Sequence, residues 1–236
     1  MAFCPGMPWG GGYPTGRSIG GVFGALTDRL SAMQPPKAEV RASTLENFGY
    51  EVIYDHEAAV FTMFQMLEDA GVEVHLNTYV GSPVMAENRI QSVACTDRTG
   101  PFTIEAAMVI DCSGDADVAA FAGVPYEVGD GLGSGLYPTT MFRIAHVDSE
   151  QALAAVGEFQ AINLLMKKVQ AEKPGQYQFP REGAILRPQK NPSEWRANVT
   201  QIAQANGMAM DATDARQLSQ GELEGRQQVG EFFRFL

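Results

Sequence analysis

Cysteine is scarce in this chain and poorly placed for pairing: Cys4, Cys95 and Cys112 are the only three in 236 residues, and no two stand as Cys-x-x-Cys. That excludes a disulfide framework and a thiolate zinc site, and it fits a reducing, cytoplasmic setting. Histidine is as sparse. His56, His75 and His146 are scattered, without the His-x-x-x-His spacing that sets two imidazoles on one helical face, so no metal site is expected. No apolar run approaches the roughly 20 residues that span a bilayer, and the start lacks a basic segment followed by a continuous apolar stretch, so neither a membrane span nor an export signal is expected. Positive charge is also short: 17 Lys and Arg stand against 28 Asp and Glu, a net charge of -11. The long-range field therefore repels nucleic acid and anionic lipid, and any anionic ligand must be held by local groups.

What is present is a hydrophobic content of 45%, enough at this length for one large domain or two small ones. Glycine and proline crowd the first 24 residues, Cys4-Pro-Gly-Met-Pro-Trp-Gly-Gly-Gly-Tyr-Pro-Thr-Gly16 among them, and predict loop. From Ser18 the pattern is helical, with Val22, Leu26 and Leu30 four apart, ending before Pro35-Pro36; a linker to about Gly49 follows. Tyr50 to Tyr54 predicts a strand. Asp55 is a helix N-cap, Val60, Met63, Phe64 and Leu67 form the apolar face, and Gly71 closes the helix as its C′ residue. Val72, Val74 and Leu76 alternate with Glu73 and His75, which predicts a half-buried strand.

Three β-like runs follow, 83–86, 90–96 and 102–106, separated by hairpin-like turns, and predict an antiparallel meander. Met108-Val-Ile110 is a short apolar run of the kind buried on both faces of a sheet, and it stops at Asp111-Cys-Ser-Gly-Asp115 before a short helix ending at Gly123. Beyond Gly129 the character changes. A glycine-rich loop leads to a strand within 139–147, a long helix from Ser149 to about Glu172, a loop-rich stretch 174–193, a strand within 195–202 and a helix from Asp211 to Leu236. The closing Phe232-Phe-Arg-Phe-Leu236 predicts either a partner surface in missing chain or a terminal helix docked on the core.

The residues with most chemical content are Met108-Val-Ile-Asp-Cys-Ser-Gly-Asp-Ala-Asp-Val118. Small residues at Ser113 and Gly114 let a ligand approach the backbone, and the following N–H groups open a helix whose N-terminus favours an anion. The same residues equally describe a tight βα turn in which Asp115 and Asp117 stabilise the first helical turn.

The order of helix, strand, meander and small-residue turn resembles the FAD-dependent oxidoreductases, glutathione-reductase-like flavoproteins distantly related to the fumarate reductase and succinate dehydrogenase flavoproteins. The resemblance rests on Tyr54-Asp-His-Glu57, Ala70-Gly-Val-Glu-Val74, Val109-Ile-Asp-Cys-Ser-Gly-Asp-Ala-Asp-Val-Ala119, Ala122-Gly-Val-Pro-Tyr126 and Glu222-Leu-Glu-Gly-Arg226, with 109–126 the most specific. It implies an α/β fold: a partial FAD/NAD(P)-binding, Rossmann-like domain with an antiparallel β-meander over 1–135, then part of a mixed α+β substrate or cap domain over 136–236. It implies FAD as cofactor, with Tyr79 or Val80 meeting the adenine through the backbone and Ser113, Gly114 and Asp115 beside the cofactor. Gly11 and Gly12 would bring loop backbone near the flavin, with Arg17 as an anion partner.

Such proteins open with a strand and a Gly-x-Gly-x-x-Gly turn that set the pyrophosphate on a helix N-terminus. Nothing before Cys4 supplies these, and Gly10 to Gly16 is no substitute, because no strand precedes it and Pro14 breaks the turn. The relatives also continue into a final flavin-contacting segment. The expectation is a piece of such an enzyme, cut at both ends and inactive by itself, with the missing N-terminal FAD-binding segment on another chain or in a longer reading frame. Two functions follow: transfer of a hydride between a small organic substrate and flavin, or a non-catalytic remnant or interaction module that binds no flavin alone. An unrelated α/β binding protein is the third reading. No catalytic residue emerges. His56, His146 and Arg143 have suitable chemistry but read as helix-start, surface and strand residues, and Cys112 reads as a small core residue.

Overall fold

The computed structural model describes residues 2–3, 21–42, 50–129, 135–156, 160–189 and 191–236. They mix helices with three three-stranded antiparallel sheets. The chain divides into two compact units, one of residues 1–72, 137–203 and 219–236, the other of 73–136 and 204–218.

The first unit opens with β1 (Ala2–Phe3), α1 (Gly21–Ala32), β2 (Ala38–Ala42), β3 (Tyr50–Tyr54) and α2 (His56–Asp69). β3 is central, flanked by β1 and β2, so strands occur where loop and linker were expected. Both are short and take their order from β3, which carries the stronger pattern: Val52 and Ile53 are buried. The α1 face that packs is Gly24, Thr27 and Leu30; Val22 points away and is exposed. On α2, Ala59 and Thr62 are buried while Met63 and Phe64 stay exposed, so the buried stripe lies beside the predicted one. Small residues allow close approach, and α1 packs on α2. Asp55 caps α2 by accepting the Ala58 N–H at 3.0 Å, and Gly71 follows at φ +66°.

The other part of this unit is built on β7 (Phe142–Ile144), β8 (Ile185–Pro188) and β9 (Trp195–Asn198), with β9 in the centre. Helices α4 (Ser149–Val156) and α5 (Gln160–Glu172) lie on either side of 157–159, and α6 (Ala215–Phe235) closes the chain. One sheet face supplies Leu186, Trp195 and Ala197 to a core shared with Ile162, Met166 and Phe232. Each large side chain so buried stabilises the fold by about 1.5–3 kcal/mol. The terminal cluster is covered internally: Phe179 packs edge-on to Phe232 and Phe235, with ring centroids 6.2 and 4.8 Å apart. The docked-helix reading of the last residues therefore holds for Phe232 and Phe235, whereas Phe233 remains exposed.

The second unit contains the meander, β4 (Tyr79–Ala86), β5 (Arg89–Asp97) and β6 (Gly100–Glu105), paired in sequence order as expected, and the short α3 (Asp117–Phe121), which rests on β4. Val93, Cys95 and Val118 are buried. Two expectations fail here. Residues 72–76 form no strand, and Met108-Val-Ile110 is irregular, with Met108 79% and Ile110 82% exposed. The reason is the same for both: among the described residues no strand lies alongside to pair with either segment, and every strand pair is antiparallel. No helix among the described residues is long and apolar enough to cross a membrane.

Candidate functional site

The turn at 111–117 is organised by the Asp111 carboxylate. Its Oδ1 accepts the Ser113 N–H at 2.9 Å and the Ser113 hydroxyl at 2.7 Å, and its Oδ2 accepts the Ala119 N–H at 2.9 Å. Ser113 Oγ in turn accepts the Asp117 N–H at 2.8 Å. These bonds, the Ser113 hydroxyl first, hold the Asp111 carboxyl below the usual carboxylate range. The amides that open α3 are thus engaged by the protein's own oxygens. Asp117 stands in the first turn of α3 as expected, but the acid that accepts hydrogen bonds there is Asp111, a role that needs the chain to fold back eight residues and that spacing along one helix does not reveal.

The turn nevertheless has an open side. Gly114 sits at φ +95° with nothing within 4 Å of where a Cβ would stand, and Ser113 and Asp115 are exposed. Such a surface fits a cofactor laid against the Ser113–Gly114 backbone better than one whose phosphate rests on the first amides of α3. Tyr79 (69% exposed) and Val80 (40% exposed) begin β4, paired with Thr96 and Cys95. β4 is an edge strand, so its outer backbone groups face away from the meander. The five residues lie in one unit, Tyr79 and Val80 on β4 and Ser113 to Asp115 in the turn that precedes α3, which rests on β4. Gly11, Gly12 and Arg17 lie outside the described residues. Cys112 is exposed rather than part of a core, whereas Cys95 is buried. No group of three or more His, Cys, Asp or Glu side chains among the described residues is arranged to hold a metal.

A second constellation lies in the first unit. Arg196 of β9 pairs in register with Arg143 of β7 on one side and Arg187 of β8 on the other. Directly paired residues point to the same face, so three guanidinium groups line up across the sheet on the face opposite the core. Beside two of them is a pocket of about 500 Å³ lined by Arg143 and Arg196 of the sheet, by Glu194 just before β9, and by Tyr54, Asp55, His56 and Glu57 of the β3–α2 junction. Burial pushes the Tyr54 phenol up, and the nearby Arg196 charge opposes that shift. His56 and Arg143, two of the three chemically suitable residues read from the sequence, meet here. His146 is exposed, at φ +59°, and does not line the pocket. Arg187 and Arg196 gave no sequence signal, because a cross-strand register cannot be read from residues far apart in the chain.

No curated protein and no solved structure matches the chain significantly. The family model described as FAD dependent oxidoreductase matches residues 2–236. The match takes in both units, the turn at 111–117 and the residues lining the pocket. The chain therefore belongs to the FAD dependent oxidoreductase family, whose cofactor is FAD and whose substrates are small molecules.

Proposed function

We propose that this chain is a flavin-dependent oxidoreductase of the cytoplasm that moves a hydride between a small organic substrate and FAD, the latter held in a Rossmann-like setting. The flavin supplies the redox chemistry, and the protein supplies binding, orientation and exclusion of water. Tyr79 and Val80 meet the adenine through the β4 backbone, while Ser113, Gly114 and Asp115 lie along the cofactor, with the loop at Gly11, Gly12 and Arg17 nearer the flavin. The assignment divides the chain into a flavin-binding part, 1–135, and a substrate or cap part, 136–236. The observation that carries it is the open, positive-φ Gly114 beside Ser113 in a chain of this family.

A matched pair of substitutions tests the placement. Gly114→Val and Gly71→Val both put a β-branched side chain at positive φ, +95° and +66°, with no atom within 4 Å of the new Cβ. Both carry backbone strain of about 1–2 kcal/mol. In titrations of FAD followed by flavin fluorescence, Gly114→Val weakens binding about tenfold or more, equivalent to about 1.4 kcal/mol, while Gly71→Val binds as the parent. Equal binding by all three proteins would remove the turn from the site.

One observation favours a second reading, an interaction module that holds no flavin alone. Among the described residues no strand pairs with 73–77 or 108–112, and Val74, Leu76, Met108 and Ile110 are exposed. Unpaired backbone flanked by apolar side chains is a template for strand addition. In that reading the partner is a strand-bearing FAD-binding segment carried on another chain.

A further inference from the structure

We propose that Asp111 is a positioning residue for the cofactor: its carboxylate holds the Ser113–Gly114 backbone in the open form that the flavin reading needs, and on that reading the proposal rests. The stretch from Ser113 to Ala119 contains two residues at positive φ, Gly114 at +95° and Ala116 at +60°. A left-handed alanine is strained by its own Cβ, so the stretch keeps this shape only where bonds at its ends outweigh the relaxed alternatives. Asp111 supplies those bonds. Its Oδ1 accepts the Ser113 N–H and hydroxyl, at 2.9 and 2.7 Å, and its Oδ2 accepts the Ala119 N–H at 2.9 Å. The Ser113 hydroxyl passes the constraint on by accepting the Asp117 N–H at 2.8 Å. One carboxylate thus ties both ends of the strained stretch, while Gly114 between them has nothing within 4 Å of its Cβ position.

A turn acid of the ordinary kind offers a comparison in the same chain. Asp211 makes the same two bonds to Thr213, at 2.9 and 2.6 Å, ahead of α6. There the helix has its own side-chain cap, since Asp214 accepts the Gln217 N–H at 3.2 Å. The N-cap residue of α3 is Ala116, which has no side-chain bond to give, so the reach of Asp111 across eight residues does that work and fixes the turn as well. By charge alone an acid beside an anionic cofactor is unfavourable, so the contribution of Asp111 is geometric: a turn ordered in advance spares the cofactor the cost of ordering it.

Titration of the full chain and its variants with FAD, followed by flavin fluorescence, tests this. Asp111→Asn keeps an oxygen for Ser113 but sets an amide N–H against that of Ala119. It also removes a negative charge, which by itself would tighten an anionic cofactor, so a loss of affinity reports geometry. The proposal predicts binding weakened about threefold or more in Asp111→Asn, the scale of one lost hydrogen bond, with Asp211→Asn binding as the parent. Ser113→Ala removes only the shared hydroxyl and weakens FAD likewise, and Ser113→Thr restores it; these two decide the matter if Asp111→Asn does not fold. Asp111→Asn combined with Ser113→Ala binds no worse than the weaker single variant, because both break one latch. Without FAD, hydrogen exchange of the 113–119 amides quickens in Asp111→Asn and not in Asp211→Asn. Parent-like or tighter binding by Asp111→Asn, equal weakening by Asp211→Asn, additive losses in the double variant, or unchanged exchange overturns the proposal. Gly114→Val separates the two claims: if it weakens FAD and Asp111→Asn does not, this proposal falls alone. A parent that binds no FAD overturns the flavin reading, and the exchange result then decides whether Asp111 holds the turn.

Discussion

Asp55 is the residue whose local role is most completely specified. It caps α2 through the Ala58 N–H and pairs with Lys37, and these contacts, the cap bond first, lower its pKa. A depressed carboxyl contributes stability above its unfolded pKa and loses it as pH falls through the folded pKa. Asp55→Ala is therefore expected to cost about 1 kcal/mol in urea unfolding at neutral pH. The difference should shrink as pH falls through the folded pKa and vanish once both states are protonated. A cost that persists in acid would assign the effect to packing instead. The glycines of α6 make a second test, with opposite signs on one helix. A Cβ at Gly225 would overlap Thr140 Oγ1 and stand 3.0 Å from both Thr140 Cβ and Ile202 Cδ1, whereas at Gly230 it meets nothing within 4 Å. Gly230→Ala should gain about 0.5–1 kcal/mol from helix propensity, and Gly225→Ala should lose about 1–3 kcal/mol to overpacking, read as shifts of Tm in opposite directions. At this scale the sequence was informative where chemistry is local: the Asp55 cap and Gly71 are legible from neighbours alone. It was silent on Asp111, whose oxygens reach Ser113 and Ala119 across a turn.

Among the elements, β3, α2 and the three-stranded meander were legible because each carries its own periodicity and its own turn residues. β1, β2 and β8 were not, since each is a short strand that takes its order from the central strand it pairs with. The failure at 72–76 and 108–110 runs the other way. Val72, Val74, Leu76, Met108 and Ile110 have strand-like patterning, yet patterning becomes a strand only when backbone partners are available. The distinction is measurable. Ile110 is 82% exposed, so Ile110→Ser should change unfolding free energy by no more than about 0.5 kcal/mol. Val93→Ala in β5, buried, should cost about 1–3 kcal/mol in the same assay. A large loss at Ile110 would mean that 108–110 is packed in solution.

For the whole molecule, family membership was legible and architecture only in part. The segments 54–57, 70–74 and 109–126 carried the resemblance, and the family match over 2–236 agrees with it. The grouping of residues 1–72 with 137–203 and 219–236 is a long-range property to which no local pattern points. The candidate site divides the same way: the turn at Ser113–Asp115 stands out in sequence, but the arginine row exists only once β7, β8 and β9 are in register. Whether the chain itself holds FAD is the claim on which the enzymatic reading turns. The most direct test is to incubate the purified chain with FAD, separate free flavin by gel filtration and record the visible spectrum of the protein peak. The account predicts flavin bands that co-elute with the chain in near-equimolar amount and are lost in Gly114→Val. A colourless parent protein would contradict it and leave the chain as a module that binds no flavin alone.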